Sequence, residues 1–278
     1  MQENGILQFD TESYIAHYTK KETFLEYILP TMSIKIGNLE NLNDLHERSL
    51  DWLDTETLGH KYDLGSNQLF DRLRKMVRKR LRVLCCAGYR GSRGSGLDNT
   101  AFCRPRMWAQ YGEESKGVCL VFDKEVLANA IDEYGKLELI EKKKMKYCSF
   151  LHDVNNGVSI VSTELNDLLT DGNEASVLKS IDKNYNLKHT YFMKHEDWEG
   201  EHEFRFLGWL TSEGKDAEDE DVFINIKDAL KAVVLGHDFP LSAYSSVLRE
   251  LKTPVWQINY SMNRYEARHF PTDKIDTK

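Results

Sequence analysis

The chain has 278 residues, of which 41% are hydrophobic and only five are proline, and its formal net charge is −8. This composition predicts a globular protein with a full core, and it argues against a membrane protein because no apolar run approaches the ~20 residues that span a bilayer. The first residues lack the basic and apolar regions of a signal peptide, so we expect a cytoplasmic protein without a membrane partner.

The first half of the chain predicts short strands and short helices in alternation. Thr19 is placed to cap the first helix and Pro30 to end it. In chain order, the predicted elements are a strand at 13–18, a helix at 21–29, a strand at 34–36, an amphipathic helix at 69–81, a strand at 82–89, a Gly/Ser-rich loop at 91–100, a helical turn at 107–111 and a buried strand at 117–122.

The second half predicts more strands and one further helix. In chain order, these are a charged strand at 137–147, mainly helical structure at 160–195, a strand that begins near Glu201, strands at 222–226 and 232–236, a helix at 241–251 and a strand at 255–260. Strands cluster without regular strand–helix–strand alternation, which favours an α+β fold. We expect a single domain with its core at about 14–123 and 196–262 and a mainly helical insert at about 124–195.

The segment from Trp198 to Arg205 carries the most information about function. A strand's two-residue period places Glu201, Glu203 and Arg205 on one face, while Phe204 lies on the other, as in a half-buried strand. Two carboxylates and a guanidinium then converge on one surface. The alternative is a solvated strand face on which the acids pair with Arg205 or with a neighbouring strand.

The segment from Arg72 to Arg106 holds eleven Lys or Arg residues and a single acid, Asp98. In the predicted helix at 69–81 the cations lie opposite an apolar stripe. One interpretation is a solvated helix face that acidic neighbours balance. The other is a patch that binds the phosphates of a dinucleotide or of a nucleic acid.

The five cysteines indicate neither disulfides nor a zinc site. Their number is odd, and several lie in apolar runs where a thiol behaves as a small hydrophobic group. The adjacent pair Cys85-Cys86 lacks the gap that lets two thiolates bind one tetrahedral ion. We therefore predict no metal site.

Five separated motifs occur in an order that is similar to a widespread bacterial family described as a domain of unknown function. The resemblance extends from about residue 14 to 262 and names no reaction. The motifs are His17-Tyr18-Thr19, Asn43-Asp44 with Glu47, Met107-Trp108-Ala109-Gln110-Tyr111-Gly112, Gly117-Val118-Cys119-Leu120-Val121-Phe122, and Glu201-His202-Glu203-Phe204-Arg205.

A more distant resemblance suggests chemistry. The opening His17-Tyr18-Thr19 and the later pair Glu201-x-Glu203 are similar to the first-strand and Glu-x-Glu motifs of ADP-ribosyltransferase-like domains. The segment with Trp108 and Tyr111 departs from that superfamily's usual middle motif. The resemblance implies a split antiparallel sheet, NAD as substrate, and a protein or nucleic acid as acceptor.

The resemblance also implies roles for individual residues. Glu203 would stabilise the oxocarbenium character that develops when the nicotinamide–ribose bond breaks, and Glu201 would orient or deprotonate an acceptor. His17 would bond a ribose or amide group. The implied cofactor-binding residues are His17, Tyr18 and Thr19, Trp108 and Tyr111 as stacking faces, and Arg205 for the pyrophosphate.

Three functions follow as alternatives. The first is an NAD-consuming transferase or glycohydrolase, in the role of a bacterial toxin or an anti-phage defence effector. The second is a nucleotide-sensing module without catalysis. The third is a protein that binds or cleaves nucleic acid through residues 72–106. For each residue taken alone, a structural role competes with these, since a lone histidine or an aromatic pair at helical spacing often belongs to the core.

Overall fold

The computed structural model describes residues 3–44, 47, 71, 74–91, 97, 100–149, 191–211, 221–262 and 264–271. These residues form an α+β fold in which one large, mostly antiparallel sheet is flanked by a few helices. The expectation of an α+β fold is confirmed. The predicted loop at 91–100, the helix at 69–81 and the insert at 124–195 lie partly outside the described residues.

Within the described residues the main sheet has ten strands, and a small second sheet has two. The strands are β1 (Tyr14–Thr19), β2 (Ser33–Asn38), β3 (Leu81–Ala87), β4 (Val118–Asp123), β5 (Leu137–Lys144), β6 (Lys146–Cys148), β7 (Met193–His195), β8 (Glu203–Leu210), β9 (Val222–Asn225), β10 (Leu230–Leu235), β11 (Val255–Ser261) and β12 (Arg264–Phe270). The main path runs β12-β11-β10-β4-β1-β3-β2-β9, β8 also pairs with β3, and β5 pairs with β8. Strands β6 and β7 form the second sheet.

The sheet opens between β1 and β3. These strands meet through one pair of small residues, Ala16 and Ala87, whereas β1 pairs with β4 along six residues. On the other side, β3 pairs with β8 along seven residues. The main sheet therefore consists of two well-paired parts that separate where β1 and β3 diverge.

The helices are short. They are Glu3–Leu7, Lys21–Thr23, Leu29–Thr31, Pro105–Gln110, Lys124–Asp132 and Leu241–Arg249, with a π-helical stretch at Phe24–Ile28, 3-10 helices at Leu39–Asn41 and Glu196–Glu201, and helical residues at 74–80. The prediction that Thr19 caps and Pro30 ends the first helix is wrong. Lys20 is the N-cap, Thr19 belongs to β1, and the helix continues through Pro30 until Met32 turns left-handed at φ 48°.

At its centre the sheet is buried on both faces, whereas β9 and β12 at its ends have exposed residues. Alternate residues of β4 show this, because Leu120 and Phe122 pack with the helix Lys124–Asp132 on one face, while Cys119 and Val121 pack with Trp108 on the other. Strand β8 is likewise buried at every position. The expectation of a half-buried strand there is wrong, since a second layer covers the face that was predicted to meet solvent.

Three sequence expectations need correction in the later part of the chain. β5 pairs with β8 in the main sheet, so residues 137–144 belong to the core and not to a helical insert. Residues 193–195 form β7 where a helix was expected, and β12 was not predicted at all.

Among the helices of the described residues, none is long and apolar enough to cross a membrane.

Candidate functional site

A cavity of about 410 Å³ lies where β1 and β3 diverge. It brings together five of the predicted site residues, namely His17, Tyr18, Tyr111, Glu201 and Glu203. The full wall consists of Ala16, His17, Tyr18, Lys35, Gly37, Asn38, Leu42, Asn43, Glu47, Val83, Leu84, Cys85, Cys86, Ala87, Met107, Gln110, Tyr111, Lys194, Glu201 and Glu203. The mix of apolar residues with a few convergent polar groups is typical of a small-molecule site.

The two acids reach the cavity from different elements. Glu203 is the first residue of β8, whereas Glu201 ends the 3-10 helix Glu196–Glu201. Between them His202 is left-handed at φ 44°, and its carbonyl accepts a bond from the Gly88 amide at 2.7 Å. The expectation that strand alternation places Glu201 beside Glu203 is therefore wrong, because a turn brings them together. Both are buried, with 3% and 4% of their surface exposed.

Lys194, which the sequence analysis did not identify, joins the two carboxylates. Its Nζ lies 2.7 Å from Glu201 Oε2 and 3.3 Å from Glu203 Oε2, so these two oxygens are at most 6.0 Å apart. The ammonium also lies 4.6 Å from the centre of the Trp198 ring, within the range of a cation–π contact. The lysine is 4% exposed. One buried cation thus fixes both acids at one end of the cavity.

Arg205 lies behind Glu203 and is fully buried. Its Nε donates to Glu203 Oε1 at 2.7 Å, its Nη1 donates to the Tyr191 carbonyl at 2.8 Å, and the same nitrogen forms an ion pair with Glu47 Oε1. The side chain is 0% exposed and is absent from the cavity wall. Arg205 cannot meet a pyrophosphate from this position, which corrects the expected role.

Burial and charge act in opposite directions on these groups. Burial raises the pKa of Glu203, but Arg205 and Lys194 lower it by more, so its pKa falls well below the ordinary value. Burial lowers the pKa of Lys194, but the surrounding glutamates raise it above that of a free lysine. For Glu47, burial raises the pKa above its ordinary value, and the nearby Glu203 adds to this effect. Glu203 and Lys194 are therefore both charged at neutral pH.

Tyr111 connects the central helix to the acids. Its hydroxyl donates to Glu201 Oε1 at 2.6 Å and accepts from Asn43 Nδ2 at 3.0 Å. Burial raises the Tyr111 pKa, and the bond to Glu201 raises it further, so the phenol stays protonated. The helix Pro105–Gln110 ends just before it, and three consecutive residues then take left-handed backbone angles. These residues are Glu113 (φ 50°), Glu114 (φ 52°) and Ser115 (φ 69°).

That left-handed turn is held between two strand ends. A Cβ on Gly236 would lie 2.1 Å from the Ser115 carbonyl oxygen, and a Cβ on Gly117 would lie 2.3 Å from the Thr19 carbonyl oxygen, so glycine is required at both positions. Glu113 accepts a bond from the Lys21 amide at 2.9 Å. Left-handed backbone costs energy for residues with a side chain. The packing therefore enforces the turn that follows Tyr111.

His17 lines the cavity, and its neutral ring has one nitrogen that can accept a hydrogen bond from a ligand. Nδ1 lies 3.0 Å from the Cys85 carbonyl, a geometry that requires Nδ1 to carry the proton and to donate. Burial lowers the pKa of His17. Among the described residues Nε2 has no hydrogen-bond partner, and in this tautomer it is an acceptor. His17 can therefore accept a bond from a ligand hydroxyl or amide.

The remaining predicted binding residues divide into wall and core. Trp108 is 1% exposed, packs edge-on against Tyr18 at 4.9 Å, and donates to the Phe102 carbonyl, so it does not line the cavity and cannot stack on a ligand there. Tyr18 lines the wall, but its hydroxyl donates to the Ala101 carbonyl at 2.8 Å. Thr19 is 8% exposed and does not line the cavity.

Several cations of the segment 72–106 have structural partners. Arg104 is buried and donates to the carbonyls of Glu201 at 2.5 Å and Gly88 at 2.6 Å. Arg82 is also buried, and Arg106 donates to the Asp197 carbonyl while lying over Trp198. These arginines fix the backbone around the cavity. Arg104 and Arg82 are therefore not available as an open basic surface.

Two wall residues, Lys194 and Glu47, join the network without having been predicted as site residues. Glu47 was noted in the sequence only as part of a family motif. Lys194 gives no pattern of its own, since its partners lie seven and nine residues later and a 3-10 helix intervenes. In the part of the chain that the structure describes, no three His, Cys, Asp or Glu residues are arranged to hold a metal ion.

Comparison with known proteins identifies one family match. Residues 107–206 match the model of a family described as "Protein of unknown function (DUF2971)". This range includes Tyr111, Lys194, Glu201 and Glu203 of the cavity wall, whereas His17 and Glu47 lie outside it. No curated protein and no solved structure matches the chain.

Proposed function

We propose that this chain cleaves the nicotinamide–ribose bond of NAD, as an ADP-ribosyltransferase-like enzyme or as an NAD glycohydrolase. One observation supports this above all others. His17 from β1, Glu201 at the end of a 3-10 helix and Glu203 at the start of β8 line the same cavity, although 184 positions separate His17 from Glu201 in the sequence. A split antiparallel sheet with a ligand at the opening is the arrangement that the distant resemblance implies.

The chemistry requires positive charge to be stabilised near the ribose. When the bond breaks, its electron pair goes to the nicotinamide nitrogen and the anomeric carbon gains oxocarbenium character. Glu203 is held ionised by Arg205 and Lys194, and a buried carboxylate stabilises such charge without reorganising. In this proposal the negative charge of Glu203 stabilises the positive charge that develops at the anomeric carbon.

The acceptor must lose a proton when it adds to the anomeric carbon. In the proposal a water or a macromolecular hydroxyl attacks, and its proton goes to a nearby base. Glu201 and Nε2 of His17 are two wall groups that can accept this proton. Glu201 is bonded by the Tyr111 hydroxyl, which an incoming ligand hydroxyl can replace.

The size of the cavity fits one end of a dinucleotide. Its volume of about 410 Å³ lies near the lower end of the range for small-molecule sites, about 300–1,000 Å³. In the proposal the nicotinamide ribose enters and the remainder of NAD extends outside. A toxin or anti-phage defence role, with a protein or nucleic acid as acceptor, is the biological form that this activity would take.

The test is nicotinamide release from NAD by the full chain, with and without protein, RNA and DNA acceptors. Glu201→Gln should lower the rate at least ~100-fold, the usual scale for a general base. Glu138→Gln, an exposed acid on β5, is the matched control and should leave the rate unchanged. Absence of nicotinamide release in every condition would contradict the proposal.

One observation favours a second candidate, a nucleotide-sensing module without catalysis. All four carboxylate oxygens of Glu201 and Glu203 already have a partner in Tyr111, Lys194 or Arg205. Such a network suits a rigid binding wall. This candidate predicts saturable nucleotide binding without product, and Glu203→Gln should then change affinity alone.

A further inference from the structure

The cavity wall carries more negative than positive charge at its acidic end. Glu47, Glu201 and Glu203 are all buried, with 3%, 3% and 4% of their surface exposed. Within the described part of the chain, the buried cations that contact them are Lys194 and Arg205. Three carboxylates thus face two buried cations, and Lys35, the other cation of the wall, is paired with Asp221. A ligand with positive charge would balance the carboxylates.

Glu47 is the carboxylate with the fewest partners. Its Oε1 forms the ion pair with Arg205, but its Oε2 is buried and has no hydrogen-bond donor among the described residues. The same side chain lines the cavity. A buried carboxylate oxygen without a donor is costly, and the raised pKa of Glu47 reflects that cost. An unpartnered, buried oxygen in the cavity wall marks a position for a ligand group.

The rest of the wall suits a flat organic cation better than a hydrated ion. Tyr18 and Tyr111 supply aromatic surface, and Leu42, Val83 and Met107 supply apolar surface. Aromatic faces attract organic cations, most strongly when the contact is desolvated. A phosphate group would meet the surplus carboxylate and be repelled. Charge and surface together therefore favour a cationic ring.

We propose that the cavity binds a cationic pyridinium ring and that Glu47 supplies the charge that selects this ring over a neutral one of the same shape. The choice of pyridinium rests on the proposed function, because the nicotinamide of oxidised NAD is such a ring. The charge preference itself rests on the wall alone. A preference for positive charge also means that the phosphates of a bound dinucleotide lie outside the cavity.

Two small probes differ in charge and little else. The full chain is titrated with 1-methylnicotinamide, which is a cation, and with nicotinamide, which is neutral, by calorimetry at pH 8. We expect the cation to bind at least ~10-fold more tightly, which corresponds to about 1.4 kcal/mol. Equal affinities, or tighter binding of the neutral ring, would overturn the proposal, as would a lack of binding by both.

A matched pair of variants isolates Glu47. Glu47→Gln keeps the shape of the side chain and removes its charge, and it should reduce the preference for the cation to less than ~3-fold. Glu40→Gln removes an exposed acid outside the cavity wall and should leave the preference unchanged. An unchanged preference in folded Glu47→Gln would overturn the role of Glu47.

The pH dependence of the unmodified chain tests the same point if Glu47→Gln fails to fold. The charged and titratable groups that face Glu47 are Glu203, Lys194, Arg205, Tyr191 and Cys85. Glu203 has a lowered pKa and the other four have raised pKa values, so none of these five changes charge between pH 5 and 8. The affinity for 1-methylnicotinamide should therefore fall as the pH drops from 8 towards the raised pKa of Glu47, and His17→Asn removes the other titrating group of the wall as a control. A flat profile would contradict the proposal.

The outcomes also separate this inference from the proposed function. Nicotinamide release from NAD tests the reaction, and its outcome does not depend on whether the cavity prefers the cationic probe to the neutral one. Selective binding of 1-methylnicotinamide without NAD cleavage would support the charge preference and contradict the proposed enzymatic activity. NAD cleavage without that selectivity would support the enzyme and overturn the inference.

Discussion

Replacing Lys194 by methionine should destabilise the protein by about 3 kcal/mol at pH 7. The change removes the cation that lies 2.7 Å from Glu201 and 3.3 Å from Glu203, and it leaves two buried carboxylates facing each other. Breaking a buried ion pair on one side costs about 3–5 kcal/mol. The lower end applies here because Glu203 keeps Arg205 and Glu201 keeps Tyr111.

The destabilisation should shrink as the pH falls. The lowered pKa of folded Glu203 stabilises the native protein above the ordinary glutamate value, and this stability is lost as the pH falls through the lowered pKa. Without Lys194 the pKa of Glu203 rises, because a cation that lowers it is lost, so the folded variant takes up this proton at a higher pH than the parent protein. The difference in unfolding free energy should therefore narrow between pH 7 and pH 5.

Urea unfolding at both pH values measures these differences. Lys142→Met is the control, because it breaks an exposed pair with Glu125 that contributes less than about 1 kcal/mol. Lys194→Arg restores the charge and should recover part of the stability. A cost below about 1 kcal/mol for Lys194→Met, or a cost that does not change with pH, would refute the electrostatic account of this network.

Three further predictions concern the surroundings of the cavity. Tyr111→Phe leaves Glu201 Oε1 without its donor and should cost about 2 kcal/mol in urea unfolding, whereas no loss would mean that the bond is replaced by solvent. Glu114→Gly should be about 1 kcal/mol more stable than Glu114→Ala, since only glycine adopts φ 52° without strain, and equal stability would argue against a left-handed backbone there. Nitrogen NMR should show His17 neutral at pH 6.5 with its proton on Nδ1, because burial lowers its pKa, and a charged ring would contradict this. The stability that the neutral ring contributes should be lost as the pH falls from the ordinary pKa of histidine through the lowered pKa of His17.

The sequence contained the strand that carries the acids but not the turn that completes the pair. Alternation identified β8 and the common face of Glu203 and Arg205, which are bonded at 2.7 Å. It could not identify the left-handed His202, whose carbonyl is held by an amide from the distant Gly88. Local periodicity carries no signal for a backbone angle that a tertiary contact fixes.

Long-range electrostatic partners were equally hidden. The contact between Glu47 and Arg205 joins positions 158 residues apart, and no spacing rule relates them. The aromatic pair Trp108 and Tyr111 shows the same limit in another way. Their three-residue spacing predicts one shared helix face, but the helix ends at Gln110, so Trp108 enters the core while Tyr111 reaches the cavity. The sequence shows that these aromatic and charged residues are present, but their positions in the core or in the cavity wall depend on the fold.

The position of β8 has a consequence for how the chain is made. This strand lies between β3 and β5, pairing with each along seven residues, yet both neighbours leave the ribosome well before it. Until residues 203–210 emerge, β3 and β5 each keep a row of backbone groups without that partner, and exposed strand edges of this kind recruit other chains. Expression of fragments that stop before β8 should therefore yield aggregates, and a slower rate of translation across residues 150–202 should lengthen the interval in which the nascent protein depends on chaperones.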